Sequence, residues 1–448
     1  MHSLLRYKAP AASCHSSRAP NRCRKPALPR CAAPASEPGT PPASSGRSGP
    51  RPLVIATRPS KLAKEQTRQV QQLLLAAAQL NGQPLKLSTL EMTSLGDASQ
   101  GVPLRSLGSG AFTEALDQAV LGRAADLAVH SLKDCPAALA PGLLLAACLP
   151  REDPRDVLIA PEATSLGELV PGSRVGTSSS RRAAQIRHSF PHLQVVQLRG
   201  NVDARLQRIR DRELSATVLA AAGLKRLGIM NSDEGLIGVP VGSATGAAVG
   251  GSGGSGDSSS GSGSGSSGGS SPGGFRASVL STDEMLPAAC QGAVGVICRE
   301  DDEWVVSLLD AISHRGTALE VAAERACLAA LLGGGGAGRG GAAFPAIAWA
   351  CNTRHDADAN TMDLDCLVAD LEGKDLFRYT EFYRPVIDEV DAEALGSLYG
   401  SLLRMMAVGQ GWVSEPGQEA EGQEAEAREQ EQEQRGAGQQ EGGAAAQE

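Results

Sequence analysis

The sequence predicts an α/β protein of three domains, two built from alternating strands and helices and a smaller α+β domain at the C-terminal side. Three observations carry that expectation. From Arg51 onward, apolar runs of strand length alternate with longer segments of helical spacing, the pattern of β-α-β units and largely parallel sheets. Asp153-Pro154-Arg155-Asp156 interrupts the alternation and reads as a crossover between two such sheets. After Arg299 the order changes to two helices, three strand-like runs and a final helix.

Leu53 to Ala56 is the first strand, and Lys61 to Leu80 is a helix with apolar positions at Leu62, Val70, Leu73, Leu74 and Ala77. Strands follow at Leu85 to Leu90, Leu127 to Val129, Val157 to Ala160, Arg174 to Gly176, Val195 to Leu198 and Thr217 to Ala220, with helices at Thr113 to Leu121, Arg181 to Ser189 and Val202 to Arg210. In the last domain Asp301-Asp302 can cap a helix through Leu309. A second helix at Ala318 to Leu332 precedes strands at Ala346 to Ala350, Met362 to Val368 and Leu376 to Phe382, and a helix at Ala392 to Ala407 closes the domain. Residues 51–152 with 275–299 are assigned to the first domain, 153–241 to the second and 300–413 to the third.

Three segments fall outside these domains. Residues 1–50 begin with Arg6, Lys8, Arg18, Arg22, Arg24, Lys25 and Arg30 and have no acid before Glu37, amid Ala, Ser and Pro; this is the composition of a transit peptide, and the plastid stroma is the expected destination. Residues 242–274 are a Gly/Ser run of linker composition, and a surface insertion of that length adds little closure entropy. The tail, 414–448, has ten glutamates against two arginines and accounts for the whole formal charge of −8; it reads as disordered by composition.

Charge and composition narrow the function. Without its leader the body is net acidic and aromatics are 3%, which argues against a nucleic-acid binder. The longest apolar run, Leu143 to Leu149, is far short of the roughly 18 residues a membrane span needs, so no membrane partner is expected and a monomer is the expected state. Ten cysteines lack any C-x-x-C spacing or paired His, so no metal is expected and the thiols suit a reducing compartment.

Chemistry concentrates at strand ends. In Ala128-Val129-His130-Ser131-Leu132-Lys133-Asp134-Cys135-Pro136 an apolar strand ends in polar residues and a stop, and a carboxylate there sits where open α/β sheets place ligands. Arg58 and Ser60 follow the first strand, Ser179, Arg181 and Arg182 lie between a strand and a helix, Arg199 precedes another helix, and Arg226 follows the strand ending at Ala220. Hydroxyls, helix-start amides and guanidiniums gathered in an acidic body suit a ligand bearing several carboxylates or phosphates.

These segments resemble the porphobilinogen deaminase (hydroxymethylbilane synthase) family: Ile55-Ala56-Thr57-Arg58, Ala128 to Pro136, Arg151 to Asp156, Val175 to Arg182, Leu198 to Leu206, Ala222 to Leu227 and Gln291-Gly292-Ala293-Val294-Gly295. The resemblance implies two domains like those of periplasmic binding proteins plus the small third domain. It implies a transferase joining four porphobilinogen molecules into a linear tetrapyrrole with loss of ammonia, for porphyrin, haem and chlorophyll synthesis, on a dipyrromethane primer. By the same resemblance Asp134 would assist amine loss and stabilise the cationic azafulvene. Arg58, Ser60, Ser131, Lys133, Ser179, Arg181, Arg182, Arg199, Arg205 and Arg226 would hold primer carboxylates. Gln66 and Arg105 would hold substrate, and Phe112 would belong to a lid over the cleft.

One departure bears on the reaction. The family attaches its primer to a cysteine soon after a Glu-Arg-Ala helix, here Glu324-Arg325-Ala326, and just before a proline-bearing strand, here Pro345. Counting from either landmark gives Gly335 or Ala342, and neither forms a thioether. Ser109 also stands where the lid would have a lysine. Three readings stay open: a working enzyme using Cys135, Cys327 or Cys351 instead, a non-catalytic paralogue that binds pyrroles or tetrapyrroles, and a glycine-rich stretch arising from a misread exon edge.

Overall fold

The computed structural model describes residues 52–82, 84–99, 107–108, 110–230, 236–237, 275–333 and 347–413. The leader, the Gly/Ser run 242–274, the acidic tail, Arg105, Ser109, Gly335 and Ala342 lie outside the described residues.

The first sheet starts with β1 (Pro52–Thr57), whose apolar residues alternate into a helix-covered core, and α1 (Lys61–Leu80). Ser60 caps α1 by accepting a hydrogen bond from the Ala63 amide at 3.3 Å, and Val70, Leu74 and Ala78 recur at i, i+4, i+8 on its buried face. Then come β2 (Lys86–Glu91), the single turn α2 (Leu95–Ala98), α3 (Glu114–Leu121), β3 (Leu127–Ser131) and β4 (Leu143–Cys148). The second sheet uses β5 (Asp156–Ala160), β6 (Arg174–Gly176), α4 (Ser180–Ser189), β7 (Gln194–Val196), α5 (Val202–Arg210), β8 (Ala216–Ala220), α6 (Ala221–Arg226), β9 (Leu236–Ile237) and β10 (Phe275–Val279). The chain then returns to the first sheet as β11 (Val294–Arg299).

Strand order is β2-β1-β3-β11-β4 in the first sheet and β7-β6-β8-β5-β10-β9 in the second. Both sheets are mixed, where the alternation predicted largely parallel ones: β11 runs antiparallel between β3 and β4, and β5 runs antiparallel between β8 and β10. Each sheet therefore contains a strand inserted against its main direction, and the chain crosses between sheets twice, at 149–155 and at 280–293. Residues 275–279 also depart from their assignment to the first domain. They pair with β5 in the second sheet, because the return crossing begins only after β10.

The third domain holds α7 (Glu303–Asp310), α8 (Arg315–Leu331), the antiparallel strands β12 (Ile347–Asp356), β13 (Thr361–Asp370) and β14 (Leu376–Pro385), and α9 (Glu389–Gly409), of which α7 packs back onto the first sheet's core through Val305 and Leu309. Helices α8 and α9 run alongside each other in the same direction at close range. A Cβ on Gly396 would sit 1.9 Å from the Ala323 carbonyl oxygen and one on Gly400 2.2 Å from that of Cys327. Gly396→Ala is expected to force the helices apart at a cost of about 1–3 kcal/mol, read as a lower chemical-denaturation midpoint. An unchanged midpoint would show that the helix pair can separate freely.

Candidate active site

All the sequence-predicted residues that are described lie near the carboxyl ends of β1, β3, β6, β7 and β8 or on the helices that follow, so both sheets present them toward the same junction. The two sides touch there: Arg199 donates to the Gly96 carbonyl at 3.3 Å and Lys61 pairs with Asp203 at 2.7 Å.

Asp134 ends a single 3-10 turn, Leu132–Asp134, that follows β3, and its side chain is 30% exposed. Arg58 lies 4.0 Å from it and is gripped from behind by Asp97 through two hydrogen bonds, at 2.9 and 2.5 Å, while Ser94 donates to Asp97 at 2.7 Å. The Phe112 ring lies under the guanidinium, 4.4 Å from centroid to carbon, and packs against Gly96, where any side chain would collide with it. Burial works against the Arg58 charge, but the Asp97 hydrogen bond and the charges of Asp134 and Asp97 outweigh it and raise its pKa.

Lys133 donates to Gln291 at 3.3 Å. Part of its surface remains exposed, while protein packed around the ammonium penalises its charge. Burial first, with Arg182 and Arg181 adding repulsion against the attraction of Asp134 and Asp156, brings its pKa down to about 8. Arg205, which donates to the Gly200 carbonyl at 2.8 Å, is pushed down to about 10 by burial and then by the charges of Arg182 and Arg199. Arg226 donates to the Gly292 carbonyl at 2.7 Å, and burial lowers its pKa also. Cations that depress one another's pKa are a site prepared for anions.

Other predicted residues are committed to the protein itself. Arg181 and Arg182 are 5% and 6% exposed and grip Asp156 at 2.8 and 2.7 Å. Arg181 also donates to the Leu286 carbonyl and Arg182 to that of Val218. Burial would raise the Asp156 carboxyl, but the two guanidiniums outweigh it and hold it far below the usual carboxylate range. Two cations on one carboxylate leave net positive charge beneath the junction. Ser179 caps α4 by accepting from the Arg182 amide at 3.4 Å, Ser60 caps α1, and Gln66 and Ser131 hydrogen-bond each other at 2.8 Å. The sequence reading missed Asp97, Asp156 and Gln291 as site residues. Gln291 donates to Asp156 at 2.9 Å and to the Pro154 carbonyl, linking Lys133 to the buried ion cluster.

The lowered Lys133 pKa gives a signed expectation. The ammonium attracts carboxylates only while protonated, so affinity for a polycarboxylate should fall as pH rises through about 8. Titrating benzene hexacarboxylate from about pH 7 to about pH 9 checks this, and Lys133→Arg, charged throughout, should flatten the profile. A wild-type profile already flat would remove Lys133 from the binding set.

Fold and junction together define a class: a two-lobed α/β protein whose lobes meet at a junction carrying several cations and the partly exposed carboxylate of Asp134. The family model described as "Porphobilinogen deaminase, dipyromethane cofactor binding domain" matches residues 53–246. Porphobilinogen deaminase of Syntrophotalea carbinolica is 35% identical over 345 residues, 77% of this chain and 90% of its own. That of Sorangium cellulosum is 36% identical over 357 residues, 79% and 99% of the two chains, and the chloroplastic porphobilinogen deaminase of Oryza sativa is 36% identical over 280 residues, 62% and 66%. This chain belongs to the porphobilinogen deaminase family, and with it to tetrapyrrole biosynthesis.

The family's dipyrromethane cofactor can be set against the residues present. Arg58, Lys133, Arg199, Arg205 and Arg226 are the donor chemistry its acetate and propionate groups need, so the ionic half of the site fits. The covalent half does not: residues 333–346 contain no cysteine, and every described thiol is buried. Among the described residues no group of His, Cys, Asp and Glu is placed to hold a metal ion, and no helix is long and apolar enough to cross a membrane.

Proposed function

We propose that this chain is a hydroxymethylbilane synthase-type transferase that joins four porphobilinogen molecules into a linear tetrapyrrole, one ammonia leaving per ring. The observation that supports this most is Asp134, a partly exposed carboxylate 4.0 Å from Arg58 in a junction that also carries Lys133, Arg199 and Arg205. The cations would bind the carboxylates of substrate and growing chain. Asp134 would face the ring that loses its amine, and as the C–N bond breaks the positive charge on that ring meets a fixed negative one. Arg58, tethered by Asp97 and seated on Phe112, would keep a carboxylate of the ring in register with Asp134. A bound dipyrromethane supplies the free pyrrole carbon that accepts the first ring.

We propose the plastid stroma as its compartment, supported by the basic leader, and a monomer as its working form. Incubation with porphobilinogen tests the reading: ammonia is expected in step with a linear tetrapyrrole. A second reading, binding of pyrroles or tetrapyrroles without turnover, is supported by the missing thiol. Bound pyrrole with no ammonia released would establish that reading in place of the first.

A further inference from the structure

We infer that the polypyrrole in this cleft is held by ion pairs alone and exchanges with solvent, with no bond to any cysteine; the inference rests on the reading above. Covalent anchoring would need a thiol to replace the amino group of an aminomethylpyrrole. The C–S bond forms, the C–N bond breaks, and the thiol's proton leaves with ammonia. That step requires an accessible sulfur with thiolate character.

No described thiol offers one. Cys135 follows Asp134 directly, yet it is 8% exposed and packs in the apolar cluster that includes Leu116, Cys148 and Cys290. Burial pushes its thiol well above the ordinary range. Cys148 is pushed up to about 12 for the same reason. Hydrogen bonds with Cys351 and Cys366, cross-strand neighbours on β12 and β13, lower the pKa of the Cys327 thiol, but at 2% exposure it is sealed between α8 and that sheet inside the third domain and out of reach of a ligand. Cys298 is buried on β11 in the first domain's other core layer. The segment 333–346, where an anchor would be sought, has glycine and alanine at 335 and 342.

Arg58, Lys133, Arg199, Arg205 and Arg226 supply cations for carboxylates, whereas every described thiol is buried. A ligand held by several partly exposed cations is weakened by salt, because screening shortens the reach of each pair.

The full chain, purified with its native ligand or loaded with porphobilinogen, provides the test. Under native conditions at low salt it should carry pyrrole detectable with Ehrlich's aldehyde, and gel filtration at about 0.5 M salt should strip most of that signal. Denaturing intact-mass measurement should give the mass of the polypeptide alone. Ala342→Cys or Gly335→Cys should convert the ligand into an adduct that survives denaturation. A wild-type adduct, mapped by peptide mass to any cysteine including Cys14, Cys23 or Cys31 of the leader, would overturn the inference while leaving the proposed function standing. Retention of pyrrole through high salt without an adduct would overturn the ionic account. No pyrrole bound by wild type under any of these conditions would overturn the proposed function itself, and this inference with it.

Discussion

Replacing Asp134 with Asn is expected to lower ammonia release from porphobilinogen by roughly 10² to 10³-fold, the scale on which loss of one preorganised electrostatic partner acts. The fold should tolerate the change. Asp134 is partly exposed, Arg58 lies 4.0 Å away, and Arg58 keeps both hydrogen bonds to Asp97. Binding should move in the opposite direction from turnover, because removing an anion from a cationic cleft raises its net positive charge. A benzene hexacarboxylate titration should therefore show Asp134→Asn binding as tightly as wild type or more tightly. If turnover and binding fall together, Asp134 acts through the structure of the cleft and not through the charge that develops on substrate.

The largest stability effect should come from Glu324→Ala. The Glu324 carboxylate is buried on α8, pairs with Arg151 at 2.7 Å, and accepts hydrogen bonds from the Thr353 amide at 2.7 Å, the Thr353 hydroxyl at 2.8 Å and the Cys290 amide. Removing it leaves the Arg151 guanidinium in the interior with Glu320, at 3.2 Å, as its one carboxylate partner among the described residues. A broken buried pair costs about 3–5 kcal/mol, and Glu320 should bring the loss toward the lower figure. Chemical denaturation of the variant measures it. A loss below about 1 kcal/mol would show that Glu320 and water replace Glu324 fully.

Much of the architecture was legible because apolar periodicity reports burial. The helix expected at Lys61 to Leu80 has those bounds, and the third domain's three strands and long final helix stand where their patterns put them. What escaped was non-local. Val294–Arg299 is buried along its whole length, so it lacks the alternation that marks a strand with one solvated face, and its neighbours β3 and β4 lie well over a hundred residues earlier. Leu143–Cys148 reads only as an apolar run, because apolar residues occupy its exposed and half-buried positions as well as its buried ones. At the site, the arginines were legible as cations but their partners were not. Nothing near Arg181 or Arg182 in sequence points to Asp156, and Asp97 sits on a four-residue turn with no periodicity to read. The fully buried Asp156 at the head of the otherwise apolar Asp156–Ala160 strand was the one available signal of a hidden counter-ion.

The two crossings between sheets have a mechanical consequence. They are the only covalent links between the lobes among the described residues, and they are laced together: Glu152 donates to the Gly292 carbonyl at 3.2 Å and Arg151 to that of Gln291 at 2.9 Å. Gly292, at φ +90°, admits this approach because a Cβ there would lie 2.1 Å from the Glu152 carbonyl oxygen. Glu324 then clasps both strands of the hinge, Arg151 on one and the Cys290 amide on the other. Any swing of one lobe against the other must turn both crossings beneath that single carboxylate. The third domain thus holds both links through one side chain, so any parting of the lobes would have to strain the bonds of Glu324 to Arg151 and Cys290.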